Sequence, residues 1–376
     1  GAPSESTSPW RWRTARRWPE RTSWTSQFSW ERTLRTAKAS SLSNKPSEKA
    51  YVRSRIGENM SSTADLTKHF LEAVDQAAIA SAAWRGKGDK NAADDAAVEA
   101  MRRTFDAVPF DGRVAIGEGE RDEAPMLFIG EELGNAVGVE GVPCIDIAVD
   151  PLECTNNCAD DKPNSIAVLA AAPRGTLLHA PDCYMNKIAA GPRLAGHVSL
   201  EGTVTYNLEQ AAHVLDKPIS DVRVVALDRD RHADLFKEIR GSGAQLELLG
   251  DGDVSGAIWA AKDDGPFDLL MGIGAAPEGV ISAAAILGLG GVFEGTLVFR
   301  SPEEEARAGE MIDDDLARLW KANDLCRSED AIFAASGVCD GYLPAAELGE
   351  DYSVAHSEII DVQAKTVERI STRRPL

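Results

Sequence analysis

The 376-residue chain carries a formal net charge of −20 and is 43% hydrophobic, enough to bury a substantial core as one large domain or two smaller ones. So acidic a body argues against nucleic acid or an anionic membrane as partner. It would also repel a phosphorylated ligand unless bound cations and local Arg or Lys reversed the sign. No apolar stretch approaches the roughly 18 residues that span a bilayer.

Residues 1–59 differ from the rest. Trp10, Trp12, Trp18, Trp24 and Trp30 stand among nine Arg and three Lys against five Glu, without helical or strand periodicity. An Arg- and Ser-rich, acid-poor composition fits an organellar transit segment. Sequence upstream of a natural start at Met60 fits as well. On either reading the segment is expected to be a disordered extension outside the fold.

From Leu66 to Ala83, apolar residues at Leu66, Phe70, Leu71, Val74, Ala77 and Ala78 predict an amphipathic helix, broken by Gly86 to Lys90. A second helix is expected from about Asp94 to Phe105, with Val98, Met101 and Phe105 on one face. A short strand, Arg113 to Ile116, leads into Gly117-Glu118-Gly119-Glu120, and a helix is expected around Pro125 to Leu133. An alternating strand then ends at Asp150. Ser165 to Ala172 and Thr176 to His179 read as a hairpin around Pro173-Arg174-Gly175.

The second half alternates. Strands at Val222 to Leu227, Gln245 to Leu249 and Asp268 to Met271 each precede a helical pattern, at His232 to Arg240, Val254 to Ala261 and Pro277 to Leu287. That order implies parallel strands with ligand-binding loops at their carboxyl ends. A charged helix at about Glu303 to Lys321, a strand near Ala331 and a hairpin-like pair near Val354 to Ile370 complete the chain. Taken together the elements predict an α/β fold, divided at 60–215 and 216–376 into a metal-binding and a substrate-binding half.

The densest chemistry lies at Asp150-Pro151-Leu152-Glu153-Cys154-Thr155. Two carboxylates, a carbonyl and a hydroxyl on one tight turn are the hard oxygen donors that Mg²⁺ or Mn²⁺ takes, although acids that merely cap a strand end give the same string. Glu118 between two glycines is a second such cluster, and a solvated charge run explains it equally. Lys90 and Asp94 share a helix face, as an ordinary surface ion pair with an N-cap would. Gly272-x-Gly274-x-x-Pro277 lacks the third glycine of a dinucleotide fingerprint, which leaves its turn free to meet a phosphate or sugar oxygen. Six cysteines include no C-x-x-C pair, so neither a zinc ribbon nor a disulfide framework is indicated. Reduced thiols are expected, with Cys154 and Cys158 the one candidate redox switch.

In combination the motifs resemble a family. Gly88-Asp89-Lys90-Asn91-x-Ala93-Asp94, Ile116-Gly-Glu-Gly-Glu120, Asp122-Glu-Ala-Pro-Met126 and Asp146-Ile-Ala-Val-Asp-Pro151 occur in this order. Ala180-Pro-Asp182 with Tyr184-Met185, Asp251-Gly-Asp-Val254 and Gly272-Ile-Gly-Ala-Ala-Pro-Glu-Gly279 follow. From Leu66 to the C-terminus this is similar to class II fructose-1,6-bisphosphatase of the lithium-sensitive phosphatase superfamily. The resemblance implies a layered α/β/α/β/α sandwich and divalent-metal-dependent removal of the 1-phosphate from fructose 1,6-bisphosphate, in gluconeogenesis or the Calvin cycle. Photosynthetic relatives also act on sedoheptulose 1,7-bisphosphate.

Carried over by position, metal ligands fall on Asp94, Glu118, Asp150, Glu153 and Glu278, with the Leu152 carbonyl a further donor, for two or more Mn²⁺ or Mg²⁺ ions. Substrate contacts fall on Glu153, Cys154, Thr155, Tyr184, Arg229, Asp230, Arg231, Asp251, Gly252, Asp253 and Ala275. Lys90, Asp122 and Thr155 would assist catalysis. The partner implied is a phosphorylated sugar, with no nucleic acid and no membrane. A homo-oligomer, dimer or tetramer, is implied too, in the cytoplasm, or in a plastid if the N-terminal segment is a transit peptide.

Two departures from the family pattern stand out. Cys154 occupies the family's usual glycine between the acid and the threonine, and strains the turn if that position needs φ > 0. Asp160-Asp161-Lys162-Pro163 replaces an aromatic or Met followed by Gly-Gln. A phosphatase of inositol phosphates, or a non-catalytic or redox-regulated sugar-phosphate-binding relative, is the alternative expectation.

Overall fold

The computed structural model describes residues 61–119 and 126–375. The N-terminal extension and Asp122 lie outside the described residues. Thr67–Ala82 (α1) and Lys90–Phe105 (α2) form where the helical periodicity predicts. The second starts one turn early because Asp89, not Asp94, is its cap: the Asp89 side chain accepts from the Ala92 N–H at 3.0 Å.

The first sheet takes Asp111–Ile116 (β1), Glu132–Leu133 (β2), Cys144–Glu153 (β3) and Ile166–Pro173 (β4), and late in the chain Ile332–Gly337 (β11), Glu347–Leu348 (β12), Tyr352–Asp361 (β13) and Thr366–Pro375 (β14). Its order is β12-β13-β11-β4-β3-β1-β2, with β14 also on β13. The second sheet takes Tyr184–Ala190 (β5), Arg223–Leu227 (β6), Gln245–Leu249 (β7), Leu269–Ala275 (β8), Val292–Val298 (β9) and Trp320–Lys321 (β10), in the order β10-β9-β5-β8-β6-β7. Strand β6 runs parallel to both β7 and β8, as the βα alternation implies. Strand β5 enters antiparallel to β8 and makes the sheet mixed.

Alternation along the strands assigns the layers. Ile145, Ile147 and Val149 of β3 with Ala167, Leu169 and Ala171 of β4 face α1 and α2. Their neighbours Ala148, Val168 and Ala170 face Asp253–Ala261 (α3) and Ala276–Leu289 (α4), which lie between the sheets. Ile188, Val224 and Leu269 turn outward against Val204–Leu215 (α5) and Ala233–Ser242 (α6). The result is the expected α/β/α/β/α sandwich.

Two expected elements do not form and a third is shortened. Among the described residues of Pro125 to Leu133 there are turns and the two-residue β2 instead of a helix. Thr176 to His179 makes no hairpin strand; Leu177 forms a single bridge to Cys326, and β4 pairs with β3 and β11. Long-range pairing wins over the local turn signal. The charged helix spans only Pro302–Met311, because Asp313 to Asp315 places three like charges where the next turn would run.

Sheet and central helices are tied by a buried ionic knot. Glu358 on β13 is fully buried and accepts from Lys262 Nζ at 2.6 Å and from Arg369 Nε at 2.9 Å. Removing one partner of such a buried charge is costly, whereas the half-exposed Arg369 contributes little. Lys262→Met should lower the unfolding free energy by about 3 kcal/mol and Arg369→Met by under ~1 kcal/mol. Urea denaturation of both variants checks the order.

Candidate active site

A cleft of about 730 Å³ opens at the carboxyl ends of β3, β6, β7 and β8. The acidic turn forms one wall. Pairing of β3 with β4 shifts register between Asp150 and Glu153, where Pro151 offers no N–H to the ladder. Asp150 Oδ1 accepts from the Leu152 N–H at 3.1 Å, and Ser165 Oγ donates to the Glu153 carbonyl at 3.0 Å. Asp146, by contrast, serves the fold: Arg113 Nη2 and the Gly175 N–H bond its carboxylate at 2.8 and 2.7 Å.

Cys154 sits at φ 66°, ψ 50°, a left-handed conformation, immediately before the short helix Thr155–Asp160. The position does require φ > 0, and a cysteine bears the strain that glycine would avoid. Its buried thiol packs on Gly252, where an added Cβ would stand only 2.9 Å from Sγ. Gly252 (φ 95°) caps α3 and places the Val254 N–H to donate to Glu153 Oε1 at 3.2 Å. The acidic turn and the Asp251-Gly252-Asp253 loop are thereby locked together.

Basic groups line the same cleft. Arg229 donates to the Gly250 carbonyl at 2.5 Å and to Asp251 Oδ1 at 3.1 Å. Arg231 uses Nε and Nη2 on the Ile273 carbonyl, at 3.1 and 2.6 Å, and lies 4.6 Å over the Tyr184 ring. Arg300 covers that ring at 5.0 Å. His232 ties the two loops: the Ile273 N–H donates to Nε2 at 2.7 Å, so the Nδ1 proton faces the Leu227 carbonyl at 2.8 Å. Burial pushes its pKa down and keeps the ring neutral.

The acids repel one another in a desolvated site. Burial, then Asp95, raises Asp94 to about 6. Burial, then Asp94 and Glu278, raises Glu118 to about 8. Asp150 and Glu153 are pushed well up by burial and by neighbouring carboxylates. Glu278 is raised by burial and by Asp253, against a pull downward from Lys187. Oε2 of Glu153 and Oε2 of Glu278 are buried without a hydrogen-bond partner. Among the described residues, no three acidic, His or Cys side chains already stand together as a finished cation site. Carboxylates of like charge hold apart by themselves, and the two orphaned oxygens are the donors a divalent cation would draw in. The residues fit a hard cation.

Asp94, Glu118, Asp150, Leu152, Glu153, Cys154, Thr155, Tyr184, Arg229, Arg231, Asp251, Gly252, Asp253, Ala275 and Glu278 all line this one cleft. Lys90 and Asp230 are exposed and are not part of its lining. Cys154 and Cys158 diverge: the Cys158 thiol faces the Ser81 carbonyl at 3.6 Å and bonds Cys339. Sequence reasoning passed over Arg307 and Met311, which line the cleft, and Lys187, buried behind it. A lysine inside the apolar strand Tyr184–Ala190 was the available signal, since buried lysine is rare unless paired.

A model of the family described as bacterial fructose-1,6-bisphosphatase, glpX-encoded, matches residues 64–374. The chain belongs to this family. A D-fructose 1,6-bisphosphatase class 2/sedoheptulose 1,7-bisphosphatase of Prochlorococcus marinus (strain MIT 9312) is 47% identical over 291 residues, 74% of this chain and 86% of that protein. A protein of the same name from Thermosynechococcus vestitus (strain NIES-2133 / IAM M-273 / BP-1) is 45% identical over 326 residues, 80% of this chain and 93% of its own length.

Two outcomes are expected. Cys154→Val puts a β-branched residue at φ 66° and should destabilise by about 2 kcal/mol, while Cys154→Gly stays within about 1 kcal/mol of the parent; chemical denaturation measures both. The raised acids set a pH dependence. Their folded pKa values exceed the unfolded ones, so the ion-free protein loses stability as pH rises from about 4 toward 8. A cation needs the ionised forms, so Mn²⁺ should raise the melting temperature more at pH 8 than at pH 6. At a hundredfold excess over Kd the gain is about 2.7 kcal/mol. Equal gains at the two pH values would contradict this electrostatic account.

Proposed function

We propose that the chain hydrolyses the 1-phosphate of fructose 1,6-bisphosphate with Mn²⁺ or Mg²⁺, as a member of the lithium-sensitive phosphatase superfamily. The single observation carrying this reading is the cleft itself, which Asp94, Glu118, Asp150, Glu153 and Glu278 line together with Arg229, Arg231, Asp251 and Asp253. Activity on sedoheptulose 1,7-bisphosphate is a second expectation, supported by the names of the two cyanobacterial relatives.

Bound divalent ions would supply charge neutralisation at the transferring phosphoryl group and a more acidic water. Asp94, Glu118, Asp150, Glu153, Glu278 and the Leu152 carbonyl would hold them. Thr155, which leads its short helix two residues after Glu153, would orient the attacking water. Arg229 and Arg231, already anchored through part of their donor sets, offer remaining N–H groups and positive charge to the distal phosphate. Asp251 and Asp253 would accept sugar hydroxyls. Lys90 and Asp122 would assist catalysis, and Tyr184, held under two guanidinium groups, gives the sugar a rigid wall. The local cations answer the repulsion expected between an acidic protein and a phosphorylated substrate.

The test is phosphate release from fructose 1,6-bisphosphate, sedoheptulose 1,7-bisphosphate and inositol monophosphate, with each metal in turn. Turnover of the sugar bisphosphates is expected. Asp150→Asn and Glu278→Gln should each lower kcat about 100-fold or more. Binding of fructose 1,6-bisphosphate without turnover would instead favour a non-catalytic relative, and turnover appearing in Cys154→Gly would trace that defect to the strained turn.

A further inference from the structure

Lys187 belongs to no motif and lines no part of the cleft, yet it is 1% exposed in the middle of β5. Its Nζ lies 2.6 Å from Oδ2 of Asp253, itself only 7% exposed. Among the described residues, Lys187 is the one group that bonds the Asp253 side chain. Two glycines clear the space for the pair. A Cβ on Gly274 would stand 1.8 Å from Asp253 Oδ2 and 3.2 Å from Lys187 Nζ, and a Cβ on Gly279 would stand 3.4 Å from Lys187 Cε.

A buried ion pair is a poor source of stability, because desolvation of both charges offsets their attraction. Hydrophobic residues would fill the place at least as well. What this pair does accomplish is directional. Asp253 opens α3 beside Gly252 and lines the cleft, and it shares that cleft with Asp251, Glu153 and Glu278. Without a cation behind it, its carboxylate would be driven from those acids. With Oδ2 fastened to Lys187, Oδ1 is the oxygen left to accept from a ligand in the cleft that Asp253 lines.

We propose that Lys187 is a positioning residue for sugar recognition, holding Asp253 so that one carboxylate oxygen is presented to a hydroxyl of the bound sugar phosphate. This rests on the sugar-phosphatase reading above and extends it to a residue outside the cleft. No bond is made or broken in this role. A charge-assisted hydrogen bond is the interaction at stake.

The experiment measures binding of fructose 6-phosphate by calorimetry to the full chain, its Lys187→Met and Asp253→Asn variants, and the double variant. Using the product separates this test from hydrolysis. Lys187→Met should weaken binding about tenfold or more, and the double variant should bind as Asp253→Asn does, since the proposed effect of Lys187 on the sugar passes through Asp253. If Lys187→Met does not fold, the comparison of Asp253→Asn, whose amide oxygen can still accept from Lys187, with the double variant, which removes both charges together, decides. Binding by Lys187→Met as tight as the parent's, or by the double variant weaker than Asp253→Asn alone, overturns the proposal. A parent that binds fructose 6-phosphate but releases no phosphate sinks only the hydrolytic reading; one that binds no sugar phosphate sinks both.

Discussion

Asp94, Glu118, Asp150, Glu153 and Glu278 share one partly desolvated cleft with Asp182, Asp251 and Asp253, and the mutual repulsion of these carboxylates is the constraint that the surrounding structure answers. Two unit charges 4 Å apart repel by about 4 kcal/mol at an effective dielectric near 20. The fold meets this with backbone N–H groups at Asp150 and Glu153, with a buried lysine at Asp253, and with burial that favours the protonated acids. Two carboxylate oxygens are nevertheless left without partners. A site in that condition suits metal cations, which would reverse the sign of the local field and admit a phosphate to a chain of net charge −20.

Rigidity comes from the junction of Glu153, Cys154 and Gly252. Glu153 reaches the first turn of α3, and the Cys154 thiol fills the contact above Gly252. The acidic turn on the first sheet and the Asp251-Gly252-Asp253 loop on the second are thus one mechanical unit. His232 does the same for the loops after β6 and β8, holding both through one neutral ring. Sites on such anchored strand ends keep their geometry better than sites on free loops. The strain at Cys154 is therefore opposed by contacts on both sides of the turn.

Periodicity found α1, the three βα units of the second sheet and the C-terminal hairpin because each is specified by contacts close in sequence. It failed where distant strands compete. Thr176 to His179 carries a plausible hairpin signal, but β11, some 160 residues on, occupies the edge of β4 that the hairpin would need. Strand β5 escaped notice because Tyr184–Ala190 mixes apolar residues with Asn186 and Lys187, and its partners β8 and β9 lie far along the chain. Lys187 was missed with it.

Residue order alone carried the family resemblance, the acidic and basic clusters and the question posed by Cys154, because motifs are strings of neighbours. It could not say that acids from four separate segments converge, since convergence depends on the chain leaving the first sheet, building the second and returning. Nor could it decide the sign of φ at Cys154 or the partner of Asp253. Those are set by which backbone and side chains meet across the layers, and such meetings are properties of packing that no local spacing encodes.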